Sequence, residues 1–383
     1  TGVMLIGFLL ILATAVGCGS DRPPGTVICH YNQQDSIYVG SPSLCILPDG
    51  TYIASHDEFG PGSSSTTAAV TRIYRSEDRG EHWRPVTRLD GQFWSNLFVH
   101  RGILFLMGTD KEHGNLIIRR SEDRGNTWSS PIDSITGLLR MGEYHTAPMP
   151  VISYRGRIWR AVECARSNTD IWGKRYSAMI ISAPDSADLL QAASWSVTDS
   201  LPYDSTYLDG KFGAWLEGNA VVTPDGNVAD LLRVDYAPGP EYAALIRLRD
   251  SVSFDARMPG GAKKFTVRYD SLSGRYWSLV NYVTQEWAGK QNPAWVRNTL
   301  ALSSSPNLQE WTVHRTVLHH PDIAKHGFQY ADWLFDGNDI VLLSRTAYDD
   351  NGTGAHNCHD ANYMTFHRIK DFRKALTEQA GNR

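Results

Sequence analysis

An all-β fold of the propeller class is what the sequence predicts, and three observations predict it. The phrase RSEDRGEHW at 75–83 returns as RSEDRGNTW at 120–128, and recurrence at such a period marks a stacked or radial repeat. Short strand-like runs closed by Gly turns fill the chain, with hardly any helical periodicity. These runs group in fours, the first pair joined at a turn such as Asp49-Gly50 and the second pair at the repeated phrase.

The head of the chain stands apart from this pattern. Residues 3–17, VMLIGFLLILATAVG, are almost wholly apolar, are short for a membrane span, and end in small residues before Cys18. They resemble a bacterial lipoprotein signal. The expected organisation is a signal over 1–17, a tether over 18–24 beginning at a lipid-bearing Cys18, and one domain over 25–383 that acts on or binds glycans. A periplasmic or cell-surface location, a lipid anchor through Cys18 and a monomer are expected with it.

About 365 residues remain, enough for a large core. The formal net charge of -4 and the lack of a basic tract give no sign of nucleic-acid binding. Cys29, Cys45, Cys164 and Cys358 lack C-x-x-C spacing, which argues against a redox motif and leaves room for one or two disulfides. The twelve Trp and seventeen Tyr are the more telling excess, since aromatic faces serve both sheet cores and sugar rings.

In the repeated phrase, Asp78 and Asp123 accept backbone N–H bonds, Gly80 and Gly125 take positive φ, and Trp83 and Trp128 open the next strand. The phrase is a hairpin fastener. Worn copies stand at SAPDSADLLQAASW and at SSSPNLQEW. Six blade starts can be counted, near 41, 92, 144, 217, 263 and 328. The last blade lacks a fourth strand, which GTVICHYNQQDSIY at 25–38 can supply to close the ring.

In a propeller the start of the first strand and the end of the second open on one central face. That geometry selects His56, Asp57 and Glu58; Trp94, Asn96, Lys111 and His113; Glu143, Tyr144, His145 and Glu163; Glu217, Asn219, Arg233, Asp235 and Tyr236; Lys264, Asn281 and Tyr282; and Gln329, Tyr330, Arg345 and Tyr348. The candidate catalytic residues are His56, His145, Tyr144 and His30. The candidate substrate contacts are Arg233, Lys264, Arg345, Glu143, Glu217, Asn219, Tyr236, Gln329 and His359. Converging Arg and Lys beside His suit an anionic substrate, and a uronate-containing oligosaccharide is the expected partner. The tail AHNCHDANYMTFHRI has metal-ligand composition without a standard zinc spacing. No metal and no cofactor is expected.

The S-x-D-x-G-x-x-W phrases resemble the Asp-box of sialidase-type propellers. Those enzymes place three arginines around the substrate carboxylate with a Tyr–Glu nucleophilic pair, and the leading arginine is absent here, where SPSL follows SIYVG. The phrases SPSLCILPDGTYIASHDEFG, EYHTAPMPVISYRGRIWRA and FQYADWLFDGNDIVLLSRTAYDD, with the tail, are similar to Bacteroides-type propellers of glycoside hydrolase family 145. The resemblance implies seven blades, the seventh having room within 156–213 or 283–327. It implies an exo-acting α-L-rhamnosidase that removes rhamnose α-1,4-linked to glucuronic acid in arabinogalactan. It also implies one catalytic histidine on the face opposite the mouth, matched in CHYNQQDSIY by His30 or replaced there by Gln33 or Gln34. Related propellers are rhamnose-glucuronate or ulvan lyases, and silent glycan-binding members are the further alternative.

Overall fold

The computed structural model describes residues 22–378 except 65, 68, 249 and 250, so the apolar head and Cys18 lie outside the described residues. Its strands form six radial sheets, not seven. Blade 1 consists of Ser43–Ile46, Tyr52–Phe59, Val70–Ser76 and Arg84–Asp90, with Tyr38–Val39 added beside the second strand. Blade 2 consists of Phe93–His100, Ile103–Thr109, Leu116–Ser121 and Leu138–Arg140. In blade 3 the first strand is broken into Tyr144–His145 and Ile152–Tyr154, which Pro148 and Pro150 account for. Arg157–Cys164, Ser177–Pro184 and Ser196–Val197 complete it. Blade 4 is Ala214–Val222, Val228–Asp235, Ala243–Arg247 and Ser251–Ala256; blade 5 is Thr266–Asp270, Arg275–Asn281, Thr299–Ser305 and Thr312–His319. Blade 6 is Gly327–Asp336, Asp339–Ala347 and Tyr363–Ile369, and Thr26–His30 pairs with Tyr363–Ile369 as its fourth strand.

The expectation of seven blades is therefore corrected to six. The interval 156–213 is taken up by the remaining three strands of blade 3 with their loops, and 283–327 by a long loop and the two outer strands of blade 5. Neither has chain left for another four-stranded sheet.

The blades are held by apolar seams between neighbours, as alternating strand faces require. Ile53 and Ile73 of blade 1 meet Leu97 and Leu106 of blade 2. Met107 and Ile118 meet Val162 and Ile181 across the next seam, and Trp277 and Leu302 of blade 5 meet Trp333 and Leu342 of blade 6. Val341 and Phe366 of blade 6 pack on Tyr52 and Tyr74 of blade 1, which closes the ring.

The repeated phrase folds as a fastener in both copies. Ser76 Oγ accepts from Gly80 N at 2.8 Å, Asp78 Oδ1 accepts from His82 N at 2.9 Å, and Trp83 Nε1 donates to Gly80 O at 3.1 Å. Ser121, Asp123, Gly125, Thr127 and Trp128 repeat these bonds. The worn copy keeps the pattern with Asn307 in the aspartate's place and Trp311 Nε1 on Leu308 O at 3.0 Å. Gly80 is required twice over, since its φ is +95° and a Cβ there would lie 2.2 Å from the Phe366 ring. The four cysteines within the domain are free thiols, so the room left for disulfides is not used.

Candidate active site at the central mouth

Three blades carry the same local distortion. The pairing of the first strand with the second slips between Phe93 and Asn96, between Leu216 and Asn219, and between Gln329 and Asp332. Within each slip one non-glycine residue takes positive φ: Trp94 at 48°, Glu217 at 56° and Tyr330 at 50°. Bulges re-aim side chains, and left-handed backbone at such residues is strain that the surroundings must hold in place. All three side chains line one central cavity of about 430 Å³.

The holding groups are identifiable. Asp57 Oδ2 accepts from the Trp94 amide at 2.9 Å. The fully buried Glu163 accepts from the Gly218 amide at 3.0 Å and binds His145 Nδ1 at 2.9 Å. Fixing the peptide after Glu217 in this way aims that carboxylate at the mouth.

On the side of blades 4 to 6, three guanidiniums surround Tyr330. Arg233 donates through Nε to Ala262 O (2.9 Å), and its Nη1 reaches Glu217 Oε2 (2.9 Å) and Tyr330 Oη (3.4 Å). Arg297 is held by Ala294 O (2.9 Å) and Gln329 Oε1 (2.7 Å), and Arg345 by His359 O through Nε and Nη2 (3.0 and 2.6 Å). The Arg345 and Arg297 guanidinium carbons stand 4.8 and 5.7 Å from the Tyr330 ring centre. Among the described residues, each guanidinium keeps one terminal nitrogen without a protein acceptor, and none of these nitrogens is sealed from solvent. They are free to receive an anion.

The electrostatics follow from burial and from this crowding. Burial opposes ionisation of Glu217, but Arg233, His145 and Lys264 hold its carboxyl below the usual range. Burial and the neighbouring Arg233 and Arg345 push Arg297 down to about 10, although Tyr330 and Cys358 pull the other way. Across the cavity, burial raises the Asp57 carboxyl to about 7, against the bonds from Trp94 and Thr71 and the charge of Arg345. Phe59, Trp94, Trp172 and Trp295 supply aromatic walls, and Glu112 supplies a further carboxylate.

The sequence-selected residues divide accordingly. His145, Glu217, Arg233, Arg345 and His359 line the cavity. His56 does not; it is fully buried, with Nδ1 on Asp57 O (2.8 Å) and Nε2 near Tyr31 and Tyr74 Oη (3.2 and 3.3 Å), and burial lowers its pKa to about 4. Strand alternation turns Asp57 and Phe59 to the mouth and His56 away. Tyr144 lies in the seam of blades 2 and 3 with its hydroxyl on Arg140 Nε at 3.0 Å. Glu143 is a rim residue within 3.5 Å of Arg175. Asn219 straps blade 4 to blade 5 through Phe265 O (3.1 Å) and Val267 N (2.8 Å). Tyr236 packs on Tyr242. Gln329 positions Arg297. Lys264 Nζ donates to Thr266 Oγ1 (2.8 Å) and Ala331 O (2.9 Å), and burial lowers it to about 8.

His30 sits elsewhere than the resemblance implies. It pairs with Tyr363, which pairs with Thr346 at the mouth end of blade 6. It is therefore on the mouth side, at the outermost strand, bonded to Asp350 Oδ2 at 3.0 Å and stacked on Tyr363. Gln33 and Gln34 follow it in a short 3-10 turn, with Gln33 bonded to Thr353.

Of the tail, His359 lines the mouth, Cys358 is buried, and His367 bonds to Thr365 Oγ1 at 2.8 Å. The rim residues His320, His326 and Asp349 bring ligand atoms within 4.8 Å of one another. Within the cluster His320 Nδ1 accepts from Asp322 N (3.1 Å), and His326 binds Asp322 and Asp349 (2.6 and 3.1 Å).

No family model matches the chain, and no curated protein sequence does. Solved structures do resemble it. The α-L-arabinofuranosidase Arb93A from Fusarium graminearum, in complex with an iminosugar inhibitor, matches at a TM-score of 0.58 with 12% identity over 90% of this chain and 97% of that one. A Hadza microbial sialidase matches at 0.60 with 15% identity over 90% and 68%. Trypanosoma rangeli sialidase in complex with 2,3-difluorosialic acid, as a covalent intermediate, matches at 0.55 with 12% identity over 94% and 61%. The likeness is a distant one of fold, to propeller glycoside hydrolases as a class, and does not single out family 145.

Proposed function

We propose that the chain is a glycosidase that cleaves the linkage of a carboxylate-bearing sugar at the central mouth. The observation that carries this reading is the arrangement of Arg233, Arg297 and Arg345 about the strained Tyr330, with Arg233 Nη1 shared between Tyr330 and Glu217. Tyr330 is the nucleophile, Glu217 its base and Asp57 the acid. A phenol suits an anionic substrate better than a carboxylate nucleophile, which the substrate's own charge would repel, and sialidases are the known exception of this kind among retaining enzymes.

In the first step the Tyr330 proton passes to Glu217 and Oη bonds to the anomeric carbon. The bond to the leaving oxygen breaks, and that oxygen takes the Asp57 proton. In the second, water gives a proton to Asp57 and its oxygen to the anomeric carbon. Tyr330 leaves and recovers its proton from Glu217, so the anomeric configuration is retained.

The rhamnosyl–glucuronate linkage is the first substrate to test, since its uronate would meet the arginines. One further reading shares the same groups. With the carboxylate neutralised, Tyr330, as a phenolate once its proton has passed to Glu217, could take the C5 proton of a uronate; the C4–C5 double bond forms as the C4–O bond breaks, and the departing oxygen takes the Asp57 proton. Incubation with rhamnosyl-glucuronate and with a sialoside separates these outcomes. Free sugar without a new ultraviolet chromophore supports hydrolysis, and an unsaturated uronate supports elimination. Cleavage of a neutral arabinofuranoside with neither anionic substrate touched contradicts both.

A further inference from the structure

A second, larger cleft of about 770 Å³ opens on the same side between blades 4 and 5. Asn292 lines both this cleft and the central cavity, so the segment 291–295 is a wall with one space on each side. Asn292 Oδ1 is engaged by the Ala294 amide at 3.0 Å, which leaves its amide nitrogen as a donor at the junction. Beside it Trp295, 53% exposed, stands at the lip of the mouth. A large aromatic face kept in water at such a position is unusual unless something covers it.

The two spaces differ in chemistry. The mouth concentrates three guanidiniums about Tyr330, whereas the cleft offers the half-buried faces of Tyr282 and Trp311 with the exposed side chains of Gln291, Lys290 and Arg257, the last lying over the Tyr242 ring at 5.6 Å. Its carboxylate, Glu241, is already taken up by Lys263 Nζ at 2.9 Å and by the amides of Gly260 and Ala262 at 3.2 and 2.9 Å. Flat aromatic faces with a few hydrogen-bond donors suit sugar rings, and the cleft lining has no trio of guanidiniums of the kind that singles out a carboxylate at the mouth.

We propose that this cleft binds the neutral sugar units continuing from the anionic residue held at the mouth, so that the substrate is an oligosaccharide lying across Asn292 and Trp295. The proposal rests on the anionic-sugar reading of the mouth. It is tested by calorimetric titration of the whole protein with glucuronate, with glucuronosyl-galactose and with the same uronate on galactotriose. Affinity is expected to rise about tenfold or more along this ladder. Tyr282→Ala, and Gln291→Trp as a blocking change at an exposed position, are expected to remove the gain and leave glucuronate affinity unchanged, with melting temperature confirming the fold. A flat ladder in the parent, or a gain that survives both variants, overturns the cleft while the mouth stands. Failure of glucuronate and the whole ladder to bind overturns the mouth reading and the cleft with it.

Discussion

The Tyr330 hydroxyl and the Glu217 carboxylate meet on a single atom, Nη1 of Arg233, at 3.4 and 2.9 Å. They come from blades 6 and 4, and each sits at the left-handed residue of a bulge in its blade's first strand. Neither strand alone makes a site. The guanidinium between them holds a phenol and a carboxylate from two strained residues beside one another at the mouth.

Tyr330→Phe removes the proposed nucleophile and little else. Turnover is expected to fall by at least about 10³-fold, with product affinity nearly unchanged. Single-turnover rates and product titration check the split between chemistry and binding.

Arg297, like Arg345, has no carboxylate partner among the described residues, and it is held by Ala294 O and Gln329 Oε1. Its replacement by Ala is expected to weaken binding of a carboxylate-bearing sugar by about 10- to 100-fold, the range of a lost charge-assisted hydrogen bond. Binding of the carboxyl-reduced analogue should hardly change. Paired calorimetric titrations give the comparison.

Asp57 carries the pH dependence. Burial raises its carboxyl from 3.8 to about 7, so as the proton donor it loses its proton, and turnover declines, as pH rises through about 7. The folded protein holds a proton there that the unfolded chain releases near 3.8, so this group's contribution to stability declines as pH rises across that window. Asp57→Asn is expected to flatten both the basic limb of the rate profile and this part of the stability profile.

The fasteners are expected to matter for stability alone. Asp123→Ala removes the acceptor of the Thr127 amide and hydroxyl. The melting temperature should drop by a few degrees with turnover per folded molecule unchanged. Thermal melts and active-site titration of the same sample decide the matter.

Much of the architecture was legible because it is periodic. The repeated turn phrase, the Gly turns and the alternating strands located six blade starts, and the closing strand at 26–30 was open to inference from a blade left short. The seventh blade rested on the resemblance and on the length of the intervals 156–213 and 283–327, which the later strands of blades 3 and 5 and their loops occupy.

The mouth was legible only where strand starts and ends gave it away, as at Glu217, Arg233, Tyr330 and Arg345. Arg297 is not among the residues that first-strand starts and second-strand ends point to, because it leads the third strand of blade 5, which also begins at the mouth. The phrase NPAWVRN, just ahead of that strand, is the signal that could have found it. His56 and Asp57 are adjacent residues of one strand and so face opposite ways, and composition does not say which of the two faces in.

The most direct test of the central claim is to trap the enzyme. Incubation with an activated fluoro-sugar of the carboxylate-bearing substrate, followed by intact-mass and peptide analysis, should show one sugar adduct, carried on the peptide containing Tyr330 and absent in Tyr330→Phe. An adduct on Glu217 or Asp57 instead, or rapid turnover of the same reagent by Tyr330→Phe, would contradict the account.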